Sequence, residues 1–353
     1  MKILTIVGAR PQFIKAALVS DKLQDYRNIQ EKILHTGQHY DANMSEIFFK
    51  ELKVPRPYHN LCVGSGSHAK QTAAMMLGIE KQCLKEKPDV VMVYGDTNST
   101  LAAALTAAKL HIPVAHVEAG VRSYNPNMPE EINRILTDKI SRWLFAPSVQ
   151  AETNLVEEGI ENYSDARIYF SGDVMFDLLL KYQHKIRIPK YQNYFLLTLH
   201  RQESTDNPDL FFKVIHAFRE SGQSIVWPVH PRVRKLLKKI AVPKNMILID
   251  PVGYVEMLSL IQSSTAVFTD SGGLQKEVCI LNKPCFTLRS ETEWTETVET
   301  GWNELLKFDP YQVQAVFKKA RWNRCGIQPF GPTEYYGDGN AAEKIAKRLS
   351  MSA

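Results

Sequence analysis

Carboxylates at the ends of buried strands are the first candidates for chemistry. Val93-Tyr94-Gly95-Asp96-Thr97 sets Asp96 just past an apolar run, and Val114-Ala115-His116-Val117-Glu118-Ala119-Gly120 does the same with Glu118. Open α/β sheets bind ligands beyond the carboxyl ends of their strands. Pro129-Glu130-Glu131-Ile132-Asn133-Arg134 then opens a helix with two acids. Acids in a first helical turn commonly balance the helix dipole, and Asp96 could equally be a helix cap. Two carboxylates at successive strand ends, joined by an acidic helix start, could instead converge on one crevice as acid and base.

A second set of residues suits an anion. The first apolar run ends in Gly8-Ala9-Arg10-Pro11-Gln12-Phe13-Ile14-Lys15. Glycine permits a tight strand-to-helix turn, and Pro11 suits a first helical position. The N–H groups of such a helix start, with Arg10 and Lys15, favour negative charge. The plain alternative is an ordinary turn with two surface cations. His200, in Leu199-His200-Arg201-Gln202-Glu203, and His230, in Pro228-Val229-His230-Pro231, follow successive strands. Phosphate contact and a structural role are both open for them.

The sharpest local pattern is Phe268-Thr269-Asp270-Ser271-Gly272-Gly273-Leu274-Gln275-Lys276-Glu277. A strand runs through Asp-Ser-Gly-Gly into a helix. Ser271 can cap, and Gly272 and Gly273 let backbone N–H groups reach a phosphate. Glu277 could accept from ribose hydroxyls, although a plain glycine-rich turn would read the same way. There is no P-loop, GxGxxG, GxSxG, HExxH or EF-hand pattern.

These residues need a scaffold that brings strand ends together. Short apolar runs at 3–8, 32–35, 90–94, 114–117 and 143–146 form a first series of strands. Runs at 168–170, 194–199, 224–229, 246–249, 266–269 and 285–288 form a second. Near-continuous apolar character suits strands buried on both faces of a parallel sheet. Helical patterns at 98–110, 130–142 and 207–220 lie between them, and 340–349 reads as a terminal helix. Strand-helix alternation predicts a doubly wound α/β fold. The length of 353 residues suggests two domains.

Composition narrows the class further. With 44% hydrophobic and 23% charged residues the chain is globular. Its net charge of +5 fits an anionic substrate, though scattered lysines give the same sum. No Lys/Arg run with interleaved aromatics suggests nucleic acid. Cys62, Cys83, Cys279, Cys285 and Cys325 form no CxxC or Cys/His metal spacing, so free thiols, no metal and a reducing compartment are expected. No apolar run approaches membrane-spanning length, and the N-terminal one is too short for a secretory signal. A cytoplasmic location follows as the expectation.

In their order along the chain, these motifs resemble those of the non-hydrolysing UDP-N-acetylglucosamine 2-epimerases. The closing Tyr336-Gly337-Asp338-Gly339 is similar too, so the resemblance spans nearly the whole chain. It implies a GT-B-like α/β fold of two Rossmann-like doubly wound domains with an interdomain cleft. The expected bounds are 1–168 for the sugar and the catalytic acids, 169–335 for UDP, and 336–353 for a helix crossing back. It also implies a homodimer and no cofactor, neither metal nor nicotinamide. The implied reaction converts UDP-GlcNAc to UDP-ManNAc by anti elimination of UDP and re-addition through a 2-acetamidoglucal. By the same resemblance Asp96, Glu118 and Glu130 are catalytic acids, with His200 the catalytic-site histidine. Arg10, Lys15, His230, Ser271, Gly272, Gly273 and Glu277 match its UDP contacts.

Two departures from the family pattern stand out. Many members have Glu-Arg-Pro-Glu where this chain has Glu293-Trp294-Thr295-Glu296, with Arg289 nearby. Residues 64–70 do not reproduce a basic residue of an allosteric UDP-GlcNAc site, although His68 and Lys70 are close and Gln38 and His39 keep part of the pattern. The segments 8–16 and 35–44 and the Trp294 stretch are similar to the branch acting on UDP-2,3-diacetamido-2,3-dideoxyglucuronate. A hydrolysing epimerase, a GT-B glycosyltransferase and an inactive sugar-nucleotide sensor are the other readings. A glycosyltransferase would need an acceptor site rather than carboxylates around C2.

Overall fold

The computed structural model describes residues 1–38, 55–162, 165–318 and 328–352. They fall into two compact units, Met1–Lys181 with Pro332–Ala353, and Tyr182–Gly331. In the first unit the chain runs β1 (Lys2–Val7), α1 (Arg10–Leu23), β2 (Gln30–His35), β3 (His59–Asn60), α2 (His68–Glu86) and β4 (Val90–Tyr94). It continues through α3 (Asn98–Lys109), β5 (Val114–Val117), α4 (Pro129–Lys139), β6 (Trp143–Ala146), α5 (Val149–Glu157), β7 (Arg167–Phe170) and α6 (Val174–Tyr182). The seven strands form one parallel sheet in the order β3-β2-β1-β4-β5-β6-β7.

The second unit holds β8 (Phe195–Thr198), α7 (Gln202–Thr205), α8 (Pro208–Glu220), β9 (Ile225–Pro228), α9 (Pro231–Leu237), β10 (Met246–Ile249) and α10 (Tyr254–Ser263). β11 (Val267–Thr269), α11 (Gly272–Ile280), β12 (Cys285–Thr287), α12 (Thr295–Glu299), β13 (Asn303–Leu305) and α13 (Pro310–Lys318) follow. Its parallel sheet has the order β10-β9-β8-β11-β12-β13. Helices α14 (Pro332–Tyr336) and α15 (Ala341–Ser350) belong to the first unit.

The apolar runs of the sequence are these strands because both sheet faces are covered. All of β4, Val-Val-Met-Val-Tyr, is buried, as a parallel sheet between two helix layers requires. α3 meets that sheet with alanines, Ala102, Ala103, Ala104 and Ala107, which let it pack closely beside Met75, Ile79 and Cys83 of α2. In the second unit the core is aromatic, with Phe268 stacked on Phe286 at 5.0 Å and edge-on to Phe218. The sequence pattern misses β3 and β13. Both are very short, and Asn303-Glu304-Leu305 carries no apolar run to read.

Strand order reverses once in each sheet, between β1 and β4 and between β8 and β11. Chains on the two sides of such a point leave in opposite directions, which opens a crevice at the strand ends. The Gly8 and Gly95 turns lie at the first reversal. The His200 and Asp270 turns lie at the second.

Candidate active site

At the first reversal a single side chain stitches the two turns together. Gln12 Oε1 accepts from the backbone N–H of Gly8 at 2.7 Å and of Ala9 at 3.0 Å. Its Nε2 donates to Tyr94 O at 2.7 Å and Thr100 Oγ1 at 2.9 Å. The amides of Gly8 and Ala9, just before the helix start, are therefore taken up by Gln12. Gly8 is glycine for a steric reason, since a β-carbon there would overlap the Ser99 hydroxyl. Arg10 opens α1, and its side chain lies outside what the structure describes.

Lys15 projects from α1 and pairs with Glu118. Burial alone would lower the ammonium's pKa, but Glu118, Asp173 and Asp96 outweigh it, and the net shift is upward. Lys15 thus marks a place where three carboxylates act on one buried cation. Glu118 sits in the left-handed backbone region with φ 72°. For a residue other than glycine this costs about 1–3 kcal/mol and persists only where the surroundings enforce it.

Asp96 is held by Arg134, whose Nη1 lies 2.5 Å from Asp96 Oδ2. Arg134 also donates to Glu131 Oε2 at 2.6 Å, and Glu131 accepts from the backbone N–H of Ser123 and Tyr124, each at 2.9 Å. Among the described contacts it is Glu131, buried, that joins the Asp96 cluster. Glu130 is half-buried at the second position of α4. Asn133 Nδ2 donates to Asp96 O at 2.8 Å. Nearby, the His68 ring is hydrogen-bonded to the Asn98 amide, and Gln38 Oε1 accepts from Ser99 N and Oγ. His39 falls outside the described residues.

At the second reversal His200 Nδ1 lies 2.8 Å from Asp270 Oδ1. Asp270 is fully buried and also accepts from the backbone N–H of His200 and Arg201 and from Ser204 Oγ, each at 2.9 Å. Burial would raise its pKa, but His200 and the backbone N–H groups outweigh that and hold it at about 2. His230 caps α9, its Nδ1 accepting from Arg232 N at 3.2 Å, and its ring centroid is 5.9 Å from that of His200.

α11 begins at Gly272, with Ser271 as its N-cap residue. A β-carbon on Gly272 would sit 3.3 Å from Glu293 Oε2, with Arg201 and Arg289 just beyond, whereas one on Gly273 would meet open space. Glu277 is buried on the same helix. The Trp294 departure now has a physical shape. Arg289 is committed to Glu293 through two bonds, at 2.9 and 3.1 Å. Trp294 is buried, and the Lys276 ammonium stands 3.6 Å from its ring centroid.

The structure thus has carboxylates at one strand-order reversal and a glycine-led helix at the other. Comparison with known proteins decides the family, because the UDP-N-acetylglucosamine 2-epimerase family is matched over residues 21–350. The chain belongs to that family, a family of isomerases. A UDP-N-acetylglucosamine 2-epimerase homolog of Methanococcus maripaludis is 48% identical, with 99% of each chain covered. The UDP-2,3-diacetamido-2,3-dideoxy-D-glucuronate 2-epimerase of Pseudomonas aeruginosa is 45% identical, again over 99% of each. The crystal structure of Methanocaldococcus jannaschii UDP-GlcNAc 2-epimerase with UDP-GlcNAc and UDP has a TM-score of 0.88 and 41% identity, covering 99% of this chain and 100% of that one. The two Rossmann-like units are accordingly GT-B-like.

The structure places Asp96, Glu118 and Lys15 together at the first reversal, and His200, His230 and the Ser271 turn at the second. The sequence patterns give no role to Gln12, Arg134, Asp173 or Glu293, and they do not distinguish Glu131 from Glu130. Only Gln12 left a usable signal, standing three residues after the helix-capping position, where a side chain can reach back to the backbone. Among the described residues no helix is long and apolar enough to cross a membrane.

Proposed function

We propose that the protein is a non-hydrolysing 2-epimerase of a UDP-N-acetylhexosamine, converting UDP-GlcNAc to UDP-ManNAc. The observation that carries this reading is the grouping of Glu118, Asp173 and Asp96 around Lys15. Carboxylates around a fixed cation can take a proton from C2 on one face and return one on the other. In the first half, the C2 proton goes to a carboxylate and the C–H pair becomes the C1=C2 double bond. The C1–O bond breaks, and its electrons leave on UDP. In the second half, a UDP oxygen adds to C1 of the 2-acetamidoglucal while C2 takes a proton on the opposite face. The sum is inversion at C2 with no water consumed.

We assign the proton transfers to Asp96, Glu118 and Glu130. His200, with its ring held by Asp270, serves the departing UDP. Arg10, Lys15, His230, Ser271, Gly272 and Gly273 contact the diphosphate, whose developing charge suits cations and helix-start amides. Glu277 takes the ribose hydroxyls. Ile132, Ile135 and Leu136 stay exposed on α4, an apolar face that supports a homodimer. Light scattering at the mass of one chain would remove the dimer.

The second reading is a UDP-2,3-diacetamido-2,3-dideoxyglucuronate substrate. It is favoured by the Pseudomonas aeruginosa relative and by the Trp294–Lys276 pair. Side-by-side kcat/KM for the two sugars, with and without added UDP-GlcNAc, separates the readings. A preference of roughly tenfold for the uronate, about 1.4 kcal/mol of transition-state binding, would replace the first reading by the second. Steady accumulation of free UDP would instead favour a hydrolysing enzyme.

A further inference from the structure

The two strand ends that carry Asp96 and Glu118 are tied to one buried pair. His116 on β5 is fully buried, with Nε2 2.8 Å from Gly95 O and Nδ1 2.6 Å from Asp138 Oδ1. Asp138, on α4, is also fully buried. Its second oxygen accepts from Gly120 N at 3.0 Å and from Arg122 Nη1 at 2.7 Å. Gly95 immediately precedes Asp96, and Gly120 lies two residues after Glu118. Both glycines have positive φ, 60° and 79°, as does Glu118 between them. One imidazole–carboxylate pair therefore fixes the Gly95–Asp96 peptide entering the first acid and the Ala119–Gly120 peptide one residue beyond the second. A second tie runs alongside it, from Gly95 N to Val117 O at 2.9 Å.

We propose that His116 and Asp138 are positioning residues that set the separation of Asp96 and Glu118 for proton transfer at C2. Neither touches substrate. Small displacements of a reacting group cost rate steeply while leaving binding made elsewhere intact. Most of the UDP contacts proposed above, His200, His230, the Ser271 turn and Glu277, lie in the second unit, while Arg10 and Lys15 lie on α1 of the first. The inference rests on the acid–base reading of Asp96 and Glu118, and the test separates the two.

Two substitutions divide the histidine's bonds. In His116→Gln the amide nitrogen stands near the Nε2 position and can still donate to Gly95 O. In His116→Asn it stands near Nδ1, keeping Asp138 and losing Gly95. Turnover, KM, UDP affinity and thermal melts are measured for both and for the wild type. The expected result is a loss of kcat of about a hundredfold in His116→Asn, with KM and UDP affinity within about twofold. His116→Gln should recover most of that loss, although it melts lower than wild type. Equal kcat in the two variants, or failure of both to fold, would overturn the proposal in favour of a purely structural role. A wild type that neither epimerises nor exchanges C2–H would refute the site reading itself, and the positioning role would fall with it.

Discussion

Asp270 Oδ1 stands 2.8 Å from His200 Nδ1, and the same carboxylate accepts from the successive backbone N–H groups of His200 and Arg201. It can do so because β11 and β8 are neighbours at the strand-order reversal, with Thr269 opposite Thr198. The ring is thereby oriented with Nε2 available. Asp270→Asn should cut kcat by about a hundredfold, the scale of a lost acid–base or orienting group. Asp270 has a depressed folded-state pKa of about 2 against an ordinary 3.8. Its stabilisation is thus complete above about pH 4 and lost as pH falls toward 2. Melting curves across that window should show a shallower acid limb in the variant. Identical limbs would mean that the buried pair contributes nothing.

Glu130 and Glu131 should separate cleanly. Glu131→Gln breaks charge-assisted bonds to Arg134, Ser123 and Tyr124, so it should lower stability by about 1–3 kcal/mol. Glu130→Gln should leave the melting temperature unchanged and reduce turnover by about a hundredfold. Denaturant melts and initial rates on both variants check this. A fully active Glu130→Gln would remove Glu130 from the catalytic set.

The start of α11 can be probed by bulk. A β-carbon at Gly272 meets the Glu293 carboxylate at 3.3 Å, and one at Gly273 meets open space. Gly272→Val should weaken UDP binding by roughly tenfold or more in calorimetry while the protein stays folded, since bulk there blocks close approach to the amides. Gly273→Ala should fold like wild type. Unchanged UDP affinity in a folded Gly272→Val protein would refute the diphosphate cradle.

A pH effect is expected at the C-terminal helix. Asp177 accepts from Ala342 N at 2.8 Å, and its other oxygen has no partner among the described residues. Burial raises its pKa to about 6; the amides of Ala342 and Ala341 oppose this, and Asp173 and Asp338 add to it. A raised carboxyl pKa favours the protonated native state. That stability is full below the ordinary 3.8 and is lost as pH rises through about 6. Asp177→Asn should therefore melt higher than wild type at pH 7.5 and close to it near pH 4. Parallel melting curves for the two proteins would contradict the assignment.

The architecture was legible because strands buried on both faces leave apolar runs that need no partner to be seen. The runs at 90–94, 114–117 and 143–146 match β4, β5 and β6 residue for residue. Asp96 and Glu118 were legible for the same reason, as polar residues that end such runs. The pairings were not. Gln12 reaches Tyr94 and Thr100, and Arg134 reaches Asp96, across long stretches of chain, and nothing local marks either partner. Glu130 and Glu131 look alike in sequence. Only the rotation of about 100° per residue along α4 turns one toward the Arg134 cluster and leaves the other half-buried.

Proton NMR at C2 of UDP-GlcNAc incubated with the wild-type protein in deuterated water tests the central claim most directly. The account predicts that the C2 proton is replaced by deuterium as UDP-ManNAc appears, with UDP still attached in both epimers. Retention of the original proton at C2 during epimerisation, or free UDP and free sugar released one for one from the start, would contradict it.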